Sequence, residues 1–141
     1  MRVFIAGVMQ ASIPGKGIVD QTYRSDIGDL LRARWPELDV IDPIVLHPNS
    51  VEYDDELAKS TLFALLDIAA GSDLVVAYLP QASMGTALEM YRAYNQGIPV
   101  ISLSPLRENW VVRALSRRVF PDIPSFAAHV ATLTAPEQLL R

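Results

Sequence analysis

A single three-layer αβα sandwich around a parallel sheet of about five strands is the fold this sequence predicts, and three observations carry it. Apolar runs at 3–6, 74–79 and 99–103 have the length of strands and little polar alternation, as strands buried on both faces require. Longer stretches at 18–35, 54–70 and 86–95 place apolar residues near a 3.6 period, which is the helical pattern. Strand and helix therefore alternate, which implies right-handed crossovers and a parallel sheet covered on both sides. At 141 residues and 50% apolar composition, the span 1–141 reads as one domain with one sizeable core. The element order is that of flavodoxin-like and Rossmann-like folds.

The elements follow in order. Val3-Phe4-Ile5-Ala6 is a strand ending at Gly7, and Pro14, Gly15 and Gly17 make the next segment a loop. Tyr23, Ile27, Leu30, Leu31 and Trp35 give the inward stripe of a helix over 18–35, closed by Pro36. On that helix Tyr23 and Arg24 are read as packing and surface residues. A second strand spans 38–41, broken by Pro43, and the stretch 44–53 with His47, Pro48 and Asn49 is read as a loop. A helix over 54–70 closes at Gly71, and the strand 74–79 is the clearest in the chain. A helix over 86–95 with Gly97 after it, a strand over 99–103, a helix over 109–117, a short edge strand at 119–120 and a helix over 126–133 complete the series. Small ligands in such folds sit beyond the carboxyl ends of the strands. The loops 7–17, 42–53, 80–86 and 104–109 are therefore the ones expected to build a site.

Composition excludes several functions. With 12 Lys+Arg against 16 Asp+Glu the net charge is −4, so no broad positive field is available for a nucleic acid polymer. The absence of cysteine removes disulfides, thiolate metal sites and thiol nucleophiles. No apolar run approaches the roughly 18 residues of a membrane span. The N-terminus lacks a basic segment followed by a long apolar one, so no signal peptide and a cytoplasmic location are expected. No G-x-G-x-x-G follows the first strand, and Gly15-Lys16-Gly17 lacks the spacing and the Ser/Thr of a phosphate-binding P-loop. His47 and His129 lie in separate elements without carboxylates at ligand spacing, so no metal is expected.

The segment Ser83-Met84-Gly85-Thr86-Ala87-Leu88-Glu89 carries the most chemistry. It follows a buried strand, contains a glycine and opens a helix, so free N–H groups and a helix dipole favour an anion there. Ser83 adds a hydroxyl donor. Thr86-Ala87-Leu88-Glu89 also reads as a capping box, with Thr86 as the cap and Glu89 reaching back to it. The two readings are compatible in part, because a carboxylate at a helix N-terminus stays ionised and an ionised carboxylate is what a nucleophile requires.

This segment, together with Ser72-Asp73 before the strand, Ala93, Gly97 and Pro99 after it, and Val3-Phe4-Ile5-Ala6-Gly7 at the start, resembles the nucleoside 2-deoxyribosyltransferase family, which includes 5′-monophosphate N-glycosidases. The resemblance covers the first strand and about 35 central residues. It implies that Glu89 attacks C1′ of the sugar and expels the base, with water or a second base then taking the sugar, as in retaining glycoside hydrolysis. It implies that Ser83, with Gly85 beside it, anchors a 5′-phosphate, and that Gly7, Gln10, Ser12 and Lys16 in the first loop close over base and phosphate. A small-molecule nucleoside or nucleotide, no cofactor and a homodimer or higher homo-oligomer are implied, with Asn109 and Arg113 in the region that completes a neighbouring site. On pattern alone Asn109 is equally a helix cap and Arg113 a solvated helix arginine.

Two positions depart from the family. Phe4 stands where a tyrosine is usual, and it lacks a hydroxyl to donate to sugar or nucleophile. A second acid is expected near 65, where this chain has Leu65; Asp67 lies about 200° around the helix from there. It is therefore a shifted catalytic acid or a surface residue, and Asp73 at the strand entrance reads as structural. Leu79-Pro80, Gly85-Thr86 and Glu89 are also similar to the Lonely Guy type phosphoribohydrolases, but Gln81-Ala82 stand where that family has two glycines. A non-catalytic nucleotide-binding sensor domain is the third reading.

Overall fold

The computed structural model describes residues 1–10 and 14–141. Five strands form one sheet: β1 (Arg2–Gly7), β2 (Asp39–Ile41), β3 (Leu74–Tyr78), β4 (Val100–Leu103) and β5 (Arg118–Phe120). Every pairing is parallel and the spatial order is β2-β1-β3-β4-β5. The chain moves outward from β1 to β2, then returns past β1 to β3. The direction of winding thus reverses between β1 and β3, and beyond their carboxyl ends lies the crevice where such sheets bind ligands.

The helices are α1 (Thr22–Arg34), α2 (Pro43–Leu46), α3 (Asp55–Ala70), α4 (Met84–Asn95), α5 (Trp110–Leu115) and α6 (Ile123–Thr132). Strand alternation splits the core into two layers. Val3, Ile5, Leu74, Val76, Ile101 and Leu103 point to α1 and α6, where they meet Ile27, Leu31 and Phe126. Phe4, Ala6, Val75, Ala77 and Val100 point the other way, to Ala69 of α3, Met90 and Ala93 of α4, and Val112 of α5. Buried on both faces, the strands need apolar side chains throughout, which accounts for their unbroken runs.

Several element ends differ from the sequence expectation, and at α2 and α6 a cap is the reason. The helix expected from 18 starts at Thr22. Asp42 caps α2 by accepting from the Ile44 N–H, with Pro43 in the first turn, so part of the expected 44–53 loop is helical. Asp122 does the same for α6, which starts at Ile123 rather than 126. Among the described residues no helix is long and apolar enough to cross a membrane, and no group of three or more His, Asp or Glu could hold a metal ion.

Candidate active site

Helix α4 begins a turn earlier than the Thr86 cap expected from the sequence. Its cap is Ser83, whose Oγ accepts from the Thr86 hydroxyl at 2.9 Å and the Thr86 N–H at 3.4 Å. Glu89 is therefore in the second turn, and no capping box ties it to Thr86. It shares the inward stripe of α4 with Thr86, Met90 and Ala93, at the i, i+3, i+4, i+7 spacing that meets the sheet. Only 8% of Glu89 is exposed. Burial removes water from the charged form and pushes its pKa up to about 8; the Arg24 guanidinium pulls in the opposite direction.

Arg24 comes from α1, on the opposite face of the sheet, and is 2% exposed. It lies three residues before Ile27 and seven before Leu31, so helical geometry aims it inward with the core. Its Nη1 donates to the Ile5 carbonyl at 3.0 Å, and its Nη2 to the Gly7 carbonyl at 2.9 Å. Nε donates to Gln21 Oε1 at 2.7 Å, and Nη1 also meets Asp42 Oδ1 at 3.3 Å. One buried cation thus binds the carboxyl end of β1 to the start of α1 and the cap of α2. Tyr23 beside it stacks on Tyr78 with centroids 4.2 Å apart and donates its hydroxyl to the Val8 carbonyl at 3.0 Å. Burial holds the Tyr23 phenol protonated, far above its ordinary range.

Arg24 and the Tyr23–Tyr78 pair thus gather at the carboxyl ends of β1 and β3, and Glu89 comes from α4, the helix that follows β3. No family model and no curated protein matches the chain. Among solved structures, the 2-deoxyribosyltransferase of the psychrotolerant bacterium Bacillus psychrosaccharolyticus superposes with a TM-score of 0.73, over 99% of this chain and 96% of that one, at 18% identity. The fold is that of a 2-deoxyribosyltransferase. A conserved protein from Enterococcus faecalis V583 has the same fold, with a TM-score of 0.64 over 93% of this chain and 97% of that one, at 19% identity.

Within this deoxyribosyltransferase fold the residues singled out by sequence separate into groups. Ser83 and Asn109 line one cavity of about 380 Å³, with Leu79, Met84, Leu106 and Val112. Ser83 keeps a hydroxyl proton to donate, since both its bonds to Thr86 are accepted ones. Gly85 follows in the first turn of α4, with nothing within 4 Å of where a Cβ would stand, so that side of the helix start is open. Gln10 lines a second cavity of about 310 Å³ with His47, Tyr53, Thr61 and Leu65; His47 Nδ1 lies 3.0 Å from the Tyr53 hydroxyl. Lys16 pairs with Glu52 at 2.8 Å, which links the first loop to the segment around the second cavity. Ser12 lies outside the described residues.

The remaining residues singled out by sequence lie as follows. Phe4 has no exposed surface; it is a core residue against α3 and α4. Gly7 is also buried, and the group that approaches it is Tyr23, whose hydroxyl would lie 2.2 Å from a Cβ there. Asp67 occupies the surface position of the two left open: its exposed carboxylate pairs with Arg92 at 2.8 Å, while Leu65 takes the inward place two residues earlier. Asn109 caps α5 by accepting from the Val111 and Val112 N–H groups. Arg113 is exposed, with Glu108 3.8 Å away. Asp73 accepts the Arg2 N–H at the strand entrance, a structural role as expected. Tyr23 packs, as the sequence reading has it, whereas Arg24, read with it as packing or surface, is buried at the end of β1; the available signal was a charge on the inward stripe of an amphipathic helix.

Proposed function

We propose that the protein cleaves or exchanges the N-glycosidic bond of nucleosides or nucleoside 5′-monophosphates through a covalent glycosyl intermediate on Glu89. The observation that carries this reading is Glu89, 8% exposed on the inward stripe of α4, in a chain whose fold superposes on that of a 2-deoxyribosyltransferase. A largely buried carboxylate is a nucleophile once ionised, and here it would face the oxocarbenium-like charge that develops at C1′. Its oxygen bonds to C1′ as the base leaves with the bonding electron pair and takes a proton from solvent. Water or an acceptor base then attacks C1′, releases the Glu89 carboxylate and restores the original configuration. The hydroxyl of Ser83 and the free N–H groups of the first turn of α4 supply a place for a 5′-phosphate. Asp67 has no part in this scheme, being engaged with Arg92 on the surface.

The active form is proposed to be a homo-oligomer. Met84 and Trp110 are each 84% exposed, and Leu88, Tyr91 and Val111 are also exposed on α4 and α5. A second copy covering this apolar face would bring its own α5, with Asn109 and Arg113, to the cavity lined by Ser83. Light scattering is expected to give a multiple of 15.5 kDa; a monomer mass would remove this part of the proposal.

The deciding experiment is chromatographic. The protein is incubated with ribo- and deoxyribonucleosides and their 5′-monophosphates, with and without an acceptor base. Free or exchanged base is expected from at least one member of the panel, and none with Glu89→Ala. A second reading, nucleotide binding without turnover, is favoured by Leu65 standing where the family carries an acid. Tight binding in calorimetry without any base release would establish that reading instead.

A further inference from the structure

Two serines interrupt the apolar interior of the sheet. Ser102 in β4 and Ser104 directly after it have no exposed surface, and a buried hydroxyl costs stability unless it is hydrogen-bonded. Each is bonded, but toward opposite ends of the same short helix. Ser102 Oγ lies 2.6 Å from the hydroxyl oxygen of Ser116, which closes α5. Ser104 serves the other end and does more. Its Oγ donates to the Leu79 carbonyl at 2.6 Å and accepts the Leu106 N–H at 3.1 Å, while its own N–H donates to the Phe120 carbonyl at 2.8 Å. From Leu106 the run of hydrogen bonds continues: its carbonyl accepts the Asn109 N–H at 3.0 Å, and Asn109 Oδ1 accepts from the N–H groups of Val111 and Val112. Leu79, Leu106, Asn109, Val111 and Val112 all line the cavity of about 380 Å³ that Ser83 also lines. The bonds thus pass from the wall that leads into α4 to the wall built by α5, with Ser104 as the joint. Such a joint is needed, because α5 has six residues of which only Val112 is buried, and a helix that short is held by its contacts rather than by its own bonds.

We propose that Ser104 is a positioning residue of this cavity: its hydroxyl joins the β3–α4 connection to the β4–α5 connection and so fixes how far apart the two walls stand. Serine suits the place because a hydroxyl can donate and accept at once. Here it does both, toward the end of β3 and toward the start of the α5 connection. Linked hydrogen bonds in a dry surrounding strengthen one another, so loss of this joint should be felt along the whole run and not at Leu106 alone. The consequence for substrate rests on the proposed function. With the 5′-phosphate at Ser83 and the start of α4, the wall that Ser104 holds stands across the cavity from it. Displacing that wall should weaken binding of the 5′ end and leave the step at C1′ unchanged. The brace itself does not rest on that reading.

The test compares amide hydrogen exchange in the wild type, Ser104→Ala and Ser102→Ala, the last losing a buried hydroxyl bond of the same length at the far end of α5. Exchange at Leu106, Asn109 and Val112 should accelerate about tenfold or more in Ser104→Ala and keep its wild-type rate in Ser102→Ala. Kinetics of base release then bring in the substrate. Ser104→Ala should raise KM for the 5′-monophosphate roughly tenfold with kcat near the wild-type value, and Ser102→Ala should leave both where they were. Acceleration confined to Leu106, or equal acceleration in the two variants, would show a local or a general loss of stability and overturn the proposal. An unchanged KM for the 5′-monophosphate in Ser104→Ala would overturn it as well. If Ser104→Ala fails to fold, Ser104→Cys, which keeps the shape and weakens the bonds, is measured in its place. No base release by a wild type whose Ser104 variant shows the spreading exchange would sink the glycosidic reading and leave the brace standing.

Discussion

Glu89→Gln should abolish base release and, above pH 8, make the protein more stable than the wild type. The two effects share one cause. In the unfolded chain Glu89 titrates near the ordinary 4.5, and in the folded protein near about 8. Between those values the native state holds a proton that the unfolded state has shed, so wild-type stability falls as pH rises through this window. Glutamine is isosteric and carries no charge to desolvate, so the variant escapes that loss. Its advantage should be absent below about pH 4.5, grow through the window and level off above pH 8. At about 1.4 kcal/mol per pH unit the ceiling is ~5 kcal/mol, which a chain of this size would register as a rise in Tm on the order of 10 °C. Thermal melts of both proteins from pH 4 to 9 read this directly, and parallel melting curves at every pH would contradict it. Activity moves the other way. Removing a nucleophile costs on the order of 10³-fold or more in kcat, and wild-type kcat/KM should climb about tenfold per pH unit up to about 8, because only the ionised free enzyme attacks.

How much of this was readable beforehand depends on which force decides each feature. Burial on two faces writes itself into Val3-Phe4-Ile5-Ala6 and Leu74-Val75-Val76-Ala77, so sheet and layers were legible from apolar runs alone. Caps were less so, because two signatures overlap at 83–89. Ser83 and Thr86 are both good caps, and the choice of Ser83 is settled only when Glu89 turns inward to pack with Met90 and Ala93. Pro43 after a strand reads as a breaker, yet after Asp42 it also starts a helix, and position alone does not separate the two. Glu89 was legible as the reactive candidate from its motif. The burial of Arg24 was not, since the bonds that hold it go largely to backbone carbonyls of Ile5 and Gly7, which any residue could supply. Phe4 and Asp67 show the converse: each stands at or near a family position, but packing places one in the core and the other on the surface.

Gly7→Ala is expected to be the most damaging single-methyl change near the site, although the backbone there is ordinary β-strand. The added Cβ would stand 2.2 Å from the Tyr23 hydroxyl oxygen and 2.5 and 2.6 Å from its Cε2 and Cζ atoms. A flexible side chain would step aside, but this ring is stacked on Tyr78, bonded through its hydroxyl to Val8 and lies beside the Arg24 guanidinium. Overpacking of this kind costs ~1–3 kcal/mol, and loss of the buried Tyr23–Val8 hydrogen bond adds ~1 kcal/mol. Urea titration should therefore show a lower midpoint with an unchanged slope. A double-mutant cycle identifies the cause, because neighbouring residues in contact are coupled. In a Tyr23→Ala background the methyl finds the space the ring vacated, so Gly7→Ala should there cost close to nothing. Equal cost in both backgrounds would show that something other than the tyrosine needs the glycine. The consequence reaches the chemistry as well: the Gly7 carbonyl is one of the four anchors of Arg24, so a displaced strand end should slow base release at substrate concentrations that saturate the wild type.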